Sequence, residues 1–308
     1  MESQVAQAPT LPLQRWTAGT LRKAWRFSRR NPVGAVSFAL VVLLVVVAVL
    51  GDFISPHDPN TIYKGMRLAD PGTVSPDGKP LILGGDELGR DFFARVILGA
   101  RVSLFVSLSA IVVGTLVGAT LGIMSGYIGG QFDLYTQRWM DGQQAIPTLV
   151  LALVIMVVLS GGQASLTNVV LAIGLVLVPR TNRIVRSSVL STKENVYVEA
   201  ARSIGASAKR IMFRHILPNV TAPILIIISV ELGSAILIEA SLSFLGFGVP
   251  AEVPSWGAML SSSGRQYMLQ EPRLLWAPGV ALSLTVMAFN LAGDTLRDVW
   301  DPRLRGSV

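Results

Sequence analysis

No cysteine occurs among the 308 residues, and histidine is confined to His57 and His215. That leaves no disulfide framework, no thiolate nucleophile and no Cys/His cluster of the kind that builds zinc or iron–sulfur sites, so this chain is expected to bind no metal or cofactor of its own. Charge is scarce too, at 15% of residues against 51% hydrophobic, with a mean hydropathy of +0.55. A soluble fold cannot bury so much apolar surface. The pattern G-x-x-x-x-G-K-[ST] is absent, which removes the usual phosphate cradle for ATP, and neither H-E-x-x-H nor G-x-S-x-G occurs, which argues against a membrane protease or lipase. The chain is expected not to be an enzyme.

What the sequence does contain is a series of long charge-free runs. Residues 31 to 51 carry no charge and include VVLLVVVAVL, a β-branched run that spans a bilayer as a helix, since about 20 residues at about 1.5 Å each cross the hydrocarbon core. Between Arg101 and Asp133 lie 31 uncharged residues, read as one span over about 102–124 with a glycine-rich exit, SGYIGG. Another 38 separate Asp141 from Arg180, too many for one crossing, and the polar SGGQAS at 160–165 divides them into spans near 143–159 and 166–184. Further spans are expected at about 219–240 and 274–293. The fold class is therefore all-α integral membrane, with six helices across residues 33–294, an N-terminal tail over 1–32 and a C-terminal tail over 295–308.

Orientation follows from lysine and arginine. The N-terminal tail, the 125–142 and 180–218 loops and the C-terminal tail together hold 18, whereas residues 52–100 and 240–273 hold 7. By the positive-inside rule both termini and the 180–218 loop are cytoplasmic. The net charge of +7 then reflects a membrane face, and nucleic acid need not be invoked. No short apolar stretch with a cleavage site marks a signal peptide near the N-terminus. The tail RWTAGTLRKAWRFSRRNP instead suits either an amphipathic helix in the interface or a basic flank orienting the first span. The 54–100 segment, rich in Pro, Gly and Asp, reads as an outer loop too poor in apolar residues to be a domain.

The cytoplasmic loop at 185–218 holds the most specific pattern, VYVEAARSIGASAKRIMFRHILPNV. Val198, Ala201 and Ile204 recur on one helical face, Gly205 stands where a helix C-cap falls, and a second short helix is expected from about Ser207 to Leu217, ending before Pro218. Small alanines keep the first helix low enough to enter a groove, and Glu199 offers a charge to orient docking.

These residues resemble the inner-membrane permease subunits of ATP-binding cassette importers, whose signature Glu-Ala-Ala, three residues, Gly, then Ile-x-Leu-Pro is matched by Glu199, Ala200, Ala201, Gly205, Leu217 and Pro218. His215 replaces the isoleucine, and HILPN at 215–219 is similar to the peptide-importer branch. GGDELGRDFFARVILGARVSL (84–104), EASLSFLGFGVPAEVPSWGAML (239–260) and FNLAGDTLRDVWDPRLR (289–305) resemble the second permease of the dipeptide/oligopeptide/nickel family. The resemblance implies a type I importer permease in a prokaryotic plasma membrane. It further implies a second permease, two ATPase subunits or domains that bind ATP and Mg and engage Glu199, Ala200, Ala201, Gly205, Ser207, His215, Leu217 and Pro218, and an external solute-binding protein. Short peptides are the implied substrate, with nickel chelates, glycosides or haem as alternatives within the family.

Remaining polar groups are read with less specificity. Glu231, Asn168 and Asn290 are candidates for the passage; Glu231 is open to a structural reading as well, and Glu239 is read as structural, capping backbone or pairing with Arg101. Asp133, Arg138 and Asp141 are expected to form an ion-pair cluster. The charges Asp294, Arg297, Asp298, Asp301 and Arg303 have the spacing of a helix end packed near the coupling loop. A rival function, a proton-driven transporter using Glu231, lacks the inverted repeat or paired broken helices such folds show.

Overall fold

The computed structural model describes residues 28–29, 31–161, 165–250, 252–261 and 265–300. Among these the chain is helical apart from its loops, and its only β pairing is two isolated bridges in the outer loop. The helices are α1 (Pro32–Ile54), α2 (Phe92–Ile128), α3 (Gly130–Ala145), α4 (Thr148–Ser160), α5 (Leu166–Thr192), α6 (Val196–Ser203), α7 (Ala208–Ile211), α8 (Leu217–Phe244), α9 (Trp256–Met259), α10 (Arg265–Tyr267) and α11 (Arg273–Trp300). Five helical stretches are long and apolar enough to cross a membrane: α1, α2, α5, α7 running on into α8, and α11. A sixth candidate is the pair α3 and α4, apolar enough when taken together but bent by 102° at the break between them.

That bend corrects the continuous span expected over 143–159. Pro147 cannot continue a helix and holds the residue before it out of the helical region, so residues 143–145 close α3 while α4 starts afresh at Thr148. The 125–142 stretch, expected to be a loop, is mostly helix. Gly129 and Gly130, at φ of 69° and 58°, make the turn from α2 into α3, a left-handed pair that only glycine adopts without strain. The interfacial helix considered for residues 15–32 falls mostly outside the described residues, only 28–29 and 31–32 of it being described, and Asp301 and Arg303 lie outside them too.

Inside a bilayer the backbone must satisfy itself, which is why the β-branched α1 is a helix. It presents Val33, Val36, Val42 and Val49 outward and buries Gly34, Ser37, Ala48 and Gly51 against the bundle. The tightest packing joins α2 to α5. Gly114, Gly118, Gly122 and Gly126 recur every fourth residue of α2, and a Cβ at the first three would stand 2.8 Å from the carbonyl oxygens of Gly174, Val178 and Asn182. At Gly126 the Arg186 oxygen would be 3.1 Å away. The α5 partners also advance in fours and in the same direction, so the two helices run parallel with their backbones in contact, a stripe of small residues serving as the seam.

The 55–91 loop, expected on the outer face, is held by its own polar groups. Asp91 caps α2 by accepting from the Phe93 and Ala94 amides, and its other oxygen lies 2.6 Å from His57 Nδ1. His57 Nε2 is 3.1 Å from Ser75 Oγ. The order Ser–His–Asp matches a hydrolytic triad, but Ser75 is only 4% exposed, so its hydroxyl is closed to a substrate and the chain of bonds is a clasp. Tyr63 packs edge-on to His57 and donates to Asp77 at 2.7 Å; burial, reinforced by that acidic partner, pushes its phenol up to about 12. Arg273 of α11 donates to the carbonyls of Leu83 and Ala69, tying the loop to the bundle.

Candidate functional site

The 193–216 loop is built on a short helix that the body of the protein holds from beneath. Val198 and Ala201 of α6 are buried with Ala119 of α2, Val185 and Val189 of α5, and Ile211, Ile216 and Val220 of the next helical stretch. Ala201, 5% exposed, packs mainly inward against its own chain. Ile204, expected on the same face as Val198 and Ala201, is instead 85% exposed because α6 ends at Ser203.

The end of α6 is a Schellman turn. The Ala206 amide donates to the Ala201 carbonyl and the Gly205 amide to that of Arg202, both at 3.0 Å, with Gly205 at φ 79°. A Cβ at Gly205 would meet nothing within 4 Å. Ser207 caps α7, its hydroxyl accepting from the Arg210 amide at 3.4 Å. The second helix does not stop before Pro218 as expected. It passes through a π-helical turn at Met212–Ile216 into α8. The wider turn accommodates a proline that has no N–H to give and whose ring crowds the preceding turn. The Asn219 side-chain amide then donates to the His215 carbonyl at 2.6 Å.

Between α6 and this turn lies a groove of about 560 Å³ lined by Tyr197, Ala200, Ala201, Ile204, Gly205, Ala206, Arg210, Arg214 and His215. Its rim is apolar at Ile204 and Tyr197 and basic at Arg210 and Arg214. Leu217 and Pro218 lie outside that groove. Glu199 faces elsewhere, into a polar recess with Tyr127, Lys193, Glu194 and Arg202. Sequence reasoning missed Tyr197, Arg210 and Arg214; a tyrosine and two arginines clustered on a cytoplasmic loop were the signal available.

A second concentration of charge lies within the membrane-spanning part. The Arg180 guanidinium stands 2.9 Å from the Glu231 carboxylate, and Arg183 donates to Asp141 at 2.9 Å. Both arginines and Glu231 line a cavity of about 580 Å³ together with Gln144 and Thr148 and apolar residues of α5 and α8. Arg186 forms a two-bond pair with Asp133 at 2.6 and 2.5 Å. The cluster expected among Asp133, Arg138 and Asp141 is thus replaced by pairs that join α3 to α5.

Glu239 does not pair with Arg101, which binds Asp52 at 2.9 Å instead. It is fully buried and accepts from Ser243 at 2.8 Å. Asn290 lies over Gly233, where a Cβ would collide with its side chain, and Asn168 is in the first turn of α5; neither lines the cavity with Glu231.

Residues 118–306 match the family model described as the binding-protein-dependent transport system inner membrane component, and residues 19–71 match the N-terminal TM domain of oligopeptide transport permease C. The glutathione transport system permease protein GsiD of Pectobacterium atrosepticum is 38% identical over 284 residues, covering 92% of this chain and 91% of the relative. GsiD of Escherichia coli O1:K1 / APEC is 37% identical over 282 residues, covering 92% and 90%. Among solved structures, an inward-facing MetNI methionine ABC transporter aligns with a TM-score of 0.55 at 18% identity, over 67% of this chain and 96% of that one, a likeness of fold.

Proposed function

Because the chain belongs to the family of binding-protein-dependent transport system inner membrane components, we propose that it is one of two nonidentical permease subunits of an ATP-driven importer of short peptides. The family makes it an importer permease of a prokaryotic inner membrane, with no enzymatic activity of its own. Peptide as cargo is supported by the oligopeptide permease match at residues 19–71 and by relatives named as glutathione transport permeases, glutathione being itself a small peptide. In this division of labour ATP and Mg bind to cytoplasmic ATPase subunits, an external binding protein delivers substrate to the outer loop, and both termini of this chain are cytoplasmic.

The observation that carries the mechanism is the shape of the 196–216 segment. A buried inner face at Val198 and Ala201 roots α6 in α2, α5 and α8, while Ile204, 85% exposed, and the adjoining groove face outward. A body that docks at Ile204, Tyr197 and the groove pushes directly on helices that line the membrane cavity, because α7 and α8 are one continuous stretch. Closure of two ATPase subunits on ATP would thereby move α5 and α8 as levers. Reconstitution tests this. ATP-dependent peptide uptake should require the second permease, the ATPases and the binding protein, whereas uptake by this chain alone in liposomes would overturn it.

A further inference from the structure

Coupling explains the cytoplasmic loop but leaves two arginines in the membrane cavity without a task. Charges lining a cavity of a membrane-spanning bundle are costly unless they belong to a pathway, a counter-ion pair or both. Arg180 and Arg183 are one turn apart on α5 and line the same cavity. Their side chains are 54% and 52% exposed, while Glu231, the partner of Arg180, is 4% exposed.

We propose that this cavity is a subsite for the carboxylate of a peptide in transit, with Arg180 and Arg183 as the contacting groups. The assignment rests on the peptide-importer function proposed above and names the part of the substrate recognised. A guanidinium has five N–H donors in a rigid fork, and one flanking carboxylate engages only part of it. Glu231 holds Arg180 from the protein side and Asp141 holds Arg183, so each arginine is fixed on one flank and open to the cavity on the other. Glu231 is thus a positioning residue: at 4% exposed it holds Arg180 and offers the cavity little surface of its own.

The rest of the lining fits this use. A volume of about 580 Å³ falls within the roughly 300–1,000 Å³ of small-molecule sites. Leu177, Ile184 and Ile238 offer apolar walls on which varied side chains can rest, so the site reads the carboxylate and tolerates the remainder. The competing role for Arg180, a bolt between α5 and α8, would be indifferent to the chemistry of the cargo.

The test uses the complete importer in liposomes with its binding protein and two probes, a tripeptide with a free C-terminus and the same peptide as its C-terminal amide. Uptake by each variant is divided by wild-type uptake of the same probe, which cancels the binding protein's own preference. Arg180→Gln should lower relative uptake of the free acid about tenfold more than that of the amide, the scale of one lost charge-assisted contact. Arg180→Lys keeps the counter-charge to Glu231 and so protects assembly, checked by co-purification; it should still disfavour the acid several-fold, because an ammonium cannot offer a fork. If both variants reduce the two probes equally, or neither, the arginines are structural and the subsite is overturned while the importer stands. If the wild-type complex moves neither peptide, the peptide-importer function fails and takes the subsite with it.

Discussion

The α2–α5 seam and the 193–216 loop both depend on glycine, for unlike physical reasons. At Gly118 the backbone is helical and the missing Cβ is what lets the Val178 carbonyl approach to 2.8 Å of where it would stand. At Gly205 the surroundings are empty and the demand is on the backbone, φ 79°, which ends α6 and sends the chain back toward α7. One region is closed, with every approach used by its own neighbours. The other is open, with nothing of its own chain within 4 Å of the position a Cβ would take. Where a bundle has to stay rigid it spends small residues inside, and where it has to be driven it places them on the rim.

Breaking the seam should give the largest effect. Gly118→Leu forces a branched side chain between two backbones that cannot separate without opening the contacts of Gly114, Gly122 and Gly126 as well, at a cost of about 3 kcal/mol or more. We expect the inserted protein to be recovered in low yield and to unfold at much lower temperature in detergent; a wild-type melting curve would show that the seam is not the rigid spine.

Asp91→Ala comes next, because it removes both the cap of α2 and the partner of His57, together worth about 2–3 kcal/mol. Here the outer loop should become protease-sensitive from outside while the bundle stays assembled. Unchanged protection of the loop would show that the Ser75–His57–Asp91 clasp does not hold it.

The smallest effect concerns pH. Tyr63 is raised to about 12 from an ordinary value of about 10, so folding favours its protonated form. Its contribution to the loop is complete below pH about 10 and is lost as pH rises from there toward about 12. Ultraviolet titration of wild type against Tyr63→Phe should assign the latest-ionising phenol to Tyr63, and an ordinary titration would contradict this.

Much of this was legible in the chain itself. Charge-free runs mark the long helices, and the spacing from Glu199 to Gly205 marks the turn, because both are local properties of helix length and capping. The break at Pro147 was also local, yet the apolar run on its far side masked it. What local patterns could not give were the partners: Asp133 meets Arg186, 53 residues on, and Asp141 meets Arg183, 42 residues on. The same holds for Arg180 and Glu231. The inward packing of Ala201 was not legible because alanine suits a docking surface and a buried helix face equally, and only the packing of α2 and α5 beneath it decides. The four glycines of GTLVGATLGIMSG were visible as a stripe of small residues at fourfold spacing, a signal of close helix approach that the charge-based reading of that span passed over.

The most direct measurement sets Gly205→Trp beside Gly205→Ala in the co-expressed complex. Both give up glycine's freedom in the left-handed region, at about 1–2 kcal/mol, and the Cβ they share meets nothing of its own chain within 4 Å. They differ in bulk at the proposed docking surface. Both chains should fold and insert. Gly205→Ala should retain the ATPase subunits and substrate-stimulated ATP hydrolysis, whereas Gly205→Trp should lose them together with uptake. Wild-type assembly, stimulation and uptake in Gly205→Trp would contradict the assignment of this loop as the coupling element.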